Sequence, residues 1–186
     1  MKYSTSEFKN GLKIIINNEP YTIVENHFEK PGKGQAFTRI KIKNLLNNKV
    51  LEKTYKSGHS VEKADVEEKT MTFIYRENDN FCFMDPESYE QVEIPLSIVE
   101  PTIPWLLEQN SCQVLFWNQQ AVTVTPENFI DIEVIECEPG VKGDTVTGGA
   151  KNATLSTGVQ IRVPLFINKG DILRVDTRTG SYVSRG

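Results

Sequence analysis

No stretch of this chain approaches the roughly 20 consecutive apolar residues that a membrane-spanning helix requires. The opening Met1-Lys2-Tyr3-Ser4-Thr5-Ser6-Glu7-Phe8 is polar where a secretory leader would be apolar. Both absences point to a cytoplasmic address and no membrane partner. Cysteine is scarce: Cys82, Cys112 and Cys137 are an odd number, far apart, with no C-x-x-C pair. A disulfide framework is therefore excluded as an expectation, and reduced, partly buried thiols are expected instead. The only histidines are His27 and His59. No local context joins either to a cysteine, so neither a nucleophile–base pair nor metal-ligand spacing is present. No metal, no cofactor and no catalytic residue is expected, and the chain reads as a protein that is not an enzyme.

What remains is ordinary globular material: 186 residues, 38% hydrophobic and 25% charged. The formal net charge of −4, taken as a total, argues mildly against nucleic acid. Its distribution argues otherwise. Residues 1–64 carry +6, residues 65–128 carry −10 and residues 129–186 carry zero. Such asymmetry fits a chain with one part facing a polyanion and another avoiding it. A solvated acidic surface is an equally available reading.

The dominant hydrophobic period is two. Residues 12–16 and 21–25 flank Asn17-Asn18-Glu19-Pro20 as a hairpin. Residues 37–42 alternate, with Arg39 and Lys41 on the polar side, and residues 50–56 behave likewise. The polar stretch 58–65 shows no strand pattern and supplies the first boundary. Further strands are expected over 70–75, 81–84, 89–94, 114–117 and 121–124. One or two helical turns are expected at 105–109, after Pro101 and Pro104. Pro126 sits near the second boundary. Strands follow over 129–135, 159–167, 171–175 and 181–184, with a long loop from 138 to 157. The expectation is an all-β protein of three small barrels, at 1–64, 65–128 and 129–186. Strand count and length suit the oligonucleotide-binding type for the second and third.

Two segments could carry chemistry. In Lys30-Pro31-Gly32-Lys33-Gly34-Gln35, proline fixes a turn and two glycines permit backbone angles closed to other residues. That loop presents one ammonium, Lys33, at an exposed tip. It is also the composition of a plain hairpin tip. The basic surroundings Lys30, Arg39, Lys41 and Lys43 favour a lysine directed at phosphate or RNA. The second segment is Gly143-Asp144-Thr145-Val146-Thr147-Gly148-Gly149-Ala150-Lys151. Gly143 and Gly148 have phosphate-loop spacing, but the Lys-Ser/Thr that must follow is missing, so a nucleotide site is excluded. A loop that touches a partner through its backbone and threonine hydroxyls remains open. The aromatics Phe81, Phe83, Trp105, Phe116 and Trp117 read as core, since the acidic module around them would repel a nucleic-acid backbone.

Lys30-Pro31-Gly32-Lys33-Gly34-Gln35-Ala36-Phe37 resembles the tip loop of the bacterial translation elongation factor P family. The likeness runs on through Gly11-Leu12-Lys13, Glu19-Pro20-Tyr21, Glu52-Lys53-Thr54 and Ala64-Asp65-Val66. It continues at Val124-Thr125-Pro126, Gly143-Asp144-Thr145, Ala153-Thr154-Leu155-Ser156-Thr157-Gly158 and Val175-Asp176-Thr177-Arg178. The resemblance implies a KOW-type (SH3-like) barrel followed by two OB-fold barrels in an L-shaped, tRNA-like arrangement. It implies a monomer that binds both ribosomal subunits between the peptidyl and exit sites. There it meets peptidyl-tRNA of prolyl and initiator type and promotes peptide bond formation at consecutive prolines. It implies that Lys33 is extended post-translationally by lysine-modifying enzymes, with a β-lysyl group in the branch whose loop reads this way. Lys30, Pro31, Gly32, Gly34 and Gln35 would shape that loop toward the tRNA. Gly143, Asp144 and Thr145 would lie near the exit-site codon and the small subunit. The family's usual Gly-Gly-Gly-Lys-Pro reads Gly148-Gly149-Ala150-Lys151-Asn152 here. The alternatives are a paralogous ribosome-binding factor without the modified lysine, against which an intact Lys33 speaks, and a generic single-strand RNA-binding OB protein.

Overall fold

The computed structural model describes residues 1–139 and 149–186. Strands dominate and form three antiparallel sheets, each from one consecutive stretch of chain. The first holds β1 (Lys2–Ser4), β2 (Lys13–Ile16), β3 (Glu19–Glu29), β4 (Phe37–Asn44), β5 (Val50–Lys56) and β6 (Ser60–Lys63), in the order β1-β6-β2-β3-β4-β5. The second holds β7 (Val66–Glu77), β8 (Asn80–Met84), β9 (Gln91–Pro95), β10 (Ser111–Trp117) and β11 (Gln120–Pro126), in the order β11-β10-β7-β8-β9. The third holds β12 (Phe129–Cys137), β13 (Ala150–Leu155), β14 (Gln160–Pro164), β15 (Ile172–Asp176) and β16 (Ser181–Arg185), in the order β14-β13-β12-β15-β16.

The period-two pattern explains these sheets residue by residue. Along β4, Thr38, Ile40, Ile42 and Asn44 are buried while Arg39 is exposed between them. Ile14, Ile23, Ile40 and Ile42 close the first core. Each such side chain stabilises the fold by roughly 1.5–3 kcal/mol relative to exposure. Asn17 and Asn18 both take positive φ, 51° and 63°. That is the two-residue turn whose twist matches the strands it joins, and asparagine tolerates it.

Three expectations fail, each for a stated reason. The stretch 58–65 does contain a strand: β6 pairs with both β1 and β2. Only Val61 of its four residues is buried, so no alternation is visible in the sequence. The loop expected over 138–157 contains β13, which pairs with β12 and β14. Its inward residues are Lys151, Ala153 and Leu155, and a lysine on the core side disguises the pattern. The helical turns come before residue 105 rather than after it, as α1 (Leu96–Val99) and a 3₁₀ segment, Glu100–Trp105. Pro101 sits at the start of that segment, where a missing N–H costs no bond.

The chain packs as two compact units, Met1–Glu68 with Leu115–Thr123, and Lys69–Val114 with Val124–Gly186. In the first, the turn of the β10–β11 hairpin is held by the Asn118 N–H, which donates to the Asp65 carbonyl at 2.9 Å. In the second, the Thr157 hydroxyl donates to the Pro104 carbonyl at 2.6 Å. Trp105 packs there against the core formed by Ile132, Leu155 and Leu173. Phe81 and Phe83 are buried together with Phe73, as core rather than as a stacking platform. No helix among the described residues is long and apolar enough to cross a membrane.

Candidate functional site

The lysine loop is the tip of the long β3–β4 hairpin. The pairing runs from Tyr21↔Asn44 to Glu29↔Phe37, with a bulge between Ile23 and Glu25. On the other side β4 pairs with β5 from Phe37↔Lys56 to Lys43↔Val50. The tip is therefore carried on a strand bonded along both edges, which fixes its base. Residues Lys30, Pro31, Gly32, Lys33, Gly34 and Gln35 are all exposed. Gly34 takes φ 115°, and a Cβ there would sit 3.8 Å from Pro31 Cγ, an ordinary contact. Glycine is needed at that position for its backbone angle and not for space. Gly32 differs from expectation: its φ lies outside the left-handed range and a Cβ would meet nothing within 4 Å. One glycine, not two, uses the conformational freedom.

The charges divide. Arg39 pairs with Glu29 at 3.4 Å, and Lys41 pairs with Glu25 at 3.6 Å, with His27 3.6 Å from the same glutamate. These are half-exposed surface contacts, and each contributes little to stability. Their effect is to compensate the cations on the strands. Lys30 and Lys33 have no hydrogen bond or ion pair among the described residues. The expected basic cluster thus resolves into Arg39 and Lys41, paired with glutamates, Lys43 further down the same strand with no ion pair among the described residues, and two free ammonium groups at the tip. A group without a protein partner is the one available to an anion or to a modifying enzyme.

Gly143, Asp144 and Thr145 lie outside the described residues. The strand that follows them is described. Lys151 is 4% exposed and turned inward opposite Val163. Asp171 is held below the usual carboxylate range, first by the Asn168 N–H, with Arg185 and Lys151 adding to it. Asn152, where the resemblance would place proline, is bonded on every polar atom. Its N–H and Nδ2 donate to Glu138, and its Oδ1 accepts from Arg162. Among the described residues no group of three His, Cys, Asp or Glu comes together to hold a metal ion.

One residue near the loop carries no flag in the sequence. Phe28 is 64% exposed, two residues before Lys30. The bulge after Ile23 shifts the alternation, so Phe28 lies on the same face as buried Thr38 and Tyr55, its neighbours in register. Strict alternation from Tyr21 and Ile23 would put Phe28 on the outward face, so the sequence alone does not bring it beside Thr38.

Three consecutive family matches cover almost the whole chain. Residues 4–61 match the Elongation factor P (EF-P) KOW-like domain, residues 66–124 the Elongation factor P (EF-P) OB domain, and residues 130–185 the Elongation factor P C-terminal domain.

The chain belongs to the elongation factor P family.

It is accordingly a translation elongation factor, and its three sheets are the KOW-like and OB-type barrels of that family. Solved structures with the same fold include eukaryotic translation initiation factor 5A from Methanococcus jannaschii. It has 21% sequence identity and a TM-score of 0.50, over 68% of this chain and 92% of that one. A translation initiation factor eif-5a family protein from Naegleria fowleri has 16% identity and a TM-score of 0.52, over 67% of this chain and 97% of its own. At these identities the likeness speaks for the fold.

Proposed function

We propose that this elongation factor binds the ribosome between the peptidyl and exit sites and promotes peptide bond formation at consecutive prolines. It acts there through Lys33, extended post-translationally by a β-lysyl group. Residues 1–64 present the loop, residues 65–128 form the acidic middle barrel, and residues 129–186 bring Gly143, Asp144 and Thr145 toward the small subunit and the exit-site codon. The observation that carries this reading is the state of Lys33. It is exposed, unpaired and flanked by glycines, at the tip of a hairpin anchored on both edges.

The ammonium stands roughly 6 Å from its Cα, and the added chain would about double that reach. Ionic contact to the phosphates of a tRNA end fixes position without reading sequence. The ribosome performs the chemistry. The factor holds a poorly placed prolyl-tRNA in reactive geometry, an orientational effect rather than proton transfer.

The test is Lys33→Arg in a reconstituted translation assay on a polyproline message. The variant keeps charge and fold, because Lys33 supports no other residue, and is expected to lose rescue, because a guanidinium is a poor acylation acceptor. Rescue at the native rate would remove Lys33 from this role. The mass of the 30–39 peptide from native cells checks the modification directly.

A further inference from the structure

Beside the hairpin tip lies a recess of about 150 Å³ lined by Ser4, Thr5, Ser6, Phe28, Thr38, Ser57 and Gly58. It is too small for the 300–1,000 Å³ typical of a whole-ligand pocket. It has room for several water volumes at about 30 Å³ each, which is the scale of one flat ring. Its walls differ in kind. Phe28 supplies a large apolar face, 64% exposed. Thr38 is 3% exposed as a residue and lines the recess, bringing a hydroxyl-bearing side chain to its wall. Thr5 accepts from the Gly58 N–H at 3.3 Å and shapes the floor. Tyr55, in register with Thr38, stacks on His59 at 4.9 Å and packs edge-on against Phe8 at 5.9 Å, as part of the core beside the recess.

We propose that this recess accepts one nucleobase of a single-stranded RNA, stacked on Phe28 with its polar edge bonded to Thr38 and the neighbouring serines. RNA is favoured as the occupant by charge: the surrounding module carries +6 over residues 1–64, and Lys30 and Lys33 at the same hairpin end are free to meet phosphates. The acids next in sequence to the lining residues Phe28 and Ser6 are engaged, Glu29 with Arg39 and Glu7 with the Ser4 N–H. An aromatic face beside free cations is the usual equipment for single-strand binding, and hydroxyls at base-edge height add hydrogen bonds. The inference deepens the proposed function by adding a base contact to the phosphate contacts of the loop.

The experiment measures binding of the full chain to a labelled single-stranded hexaribonucleotide and to the same strand without bases, at low salt. The native chain should prefer the strand with bases. Phe28→Ala should weaken binding roughly tenfold, as loss of one base–aromatic stack does, with the salt slope unchanged because no charge is removed. Phe28→Trp should retain affinity, and Thr38→Val should weaken binding while the melting temperature reports that the fold is kept. Equal affinity for the two strands, or a native-like Phe28→Ala, overturns the proposal. So does a Phe28→Ala variant that binds RNA normally but is no longer modified at Lys33, since Phe28 would then belong to a modifying enzyme's docking surface. The assay uses neither ribosomes nor modified lysine. A chain that passes it and yet fails polyproline rescue retains the base site and loses the proposed function, and the reverse result does the opposite.

Discussion

Asn152 and Glu138 clasp each other across the start of the third sheet. The Asn152 N–H donates to Glu138 Oε2 at 3.1 Å, its Nδ2 donates to Oε1 at 3.3 Å, and the Glu138 N–H returns a bond to the Asn152 carbonyl at 3.1 Å. The pair stands where the chain leaves β12 and where it re-enters the sheet in β13. An asparagine at 152, where the resemblance would place proline, supplies hydrogen bonds instead of a fixed backbone angle.

Asn152→Pro should remove both donations to Glu138. Net loss for two exposed bonds is about 1–2 kcal/mol, offset by about 0.4–1 kcal/mol from a stiffer unfolded chain. Thermal denaturation should show a lower midpoint for Asn152→Pro and a smaller drop for Asn152→Ala, which keeps the backbone donor. A proline variant more stable than the native chain would show that the clasp contributes nothing.

The two tip glycines should respond unequally. Gly34→Ala forces a side chain into φ 115°, while Gly32→Ala meets open space at an ordinary angle. A left-handed conformation costs a non-glycine residue roughly 1–2 kcal/mol. The exposed loop can relax to avoid that cost by moving Lys33. Gly34→Ala should thus leave global stability nearly unchanged but reduce polyproline rescue severalfold, and Gly32→Ala should reduce it far less. Equal losses for the two would mean that space near Lys33, rather than its backbone geometry, matters.

Burial pushes the Cys112 thiol up from 9.0 to about 12, with Glu127 adding to the effect. Because the folded pKa is the higher one, the folded state holds its proton more tightly than the unfolded chain does. The associated stability is fully present below about pH 9 and is lost as pH rises toward 12, on the order of 4 kcal/mol across that window. Only the thiolate attacks an alkylating reagent. At pH 8 iodoacetamide should therefore modify Cys137, the one partly exposed cysteine, well before Cys112, as read by peptide mass. Rapid labelling of Cys112 in the folded protein would contradict its burial.

Legibility varied with how strongly a residue's neighbours in sequence are its neighbours in space. Phe37–Asn44 was readable because alternation and burial coincide there, whereas Val50–Lys56 is a strand with no buried residue, marked only by its composition and its neighbour. Ser60–Lys63 was not readable, because it earns its place through pairing with Lys2–Ser4 and Lys13–Ile16, partners 45 or more positions away, and buries only Val61. Lys151 concealed β13 by occupying a core-side position that a pattern rule assigns to an apolar residue. Gly32 and Gly34 look alike as letters, and only the path of the chain distinguishes them.

The sequence alone determined the class of fold, the lysine loop and the family likeness, because period-two alternation, turn residues and a contiguous motif are all local properties. It also located the charge, turning a total of −4 into a basic first third. Only the tertiary structure decided which cations are free. Arg39 and Lys41 face glutamates brought across from β3 by register, and Lys30 and Lys33 face none. Only the tertiary structure brought Phe28 beside Thr38 and Ser57, because a bulge reset the alternation and β5 delivered the serine. Ion pairing and recess formation depend on distances between strands, and those are set by register, which composition does not contain.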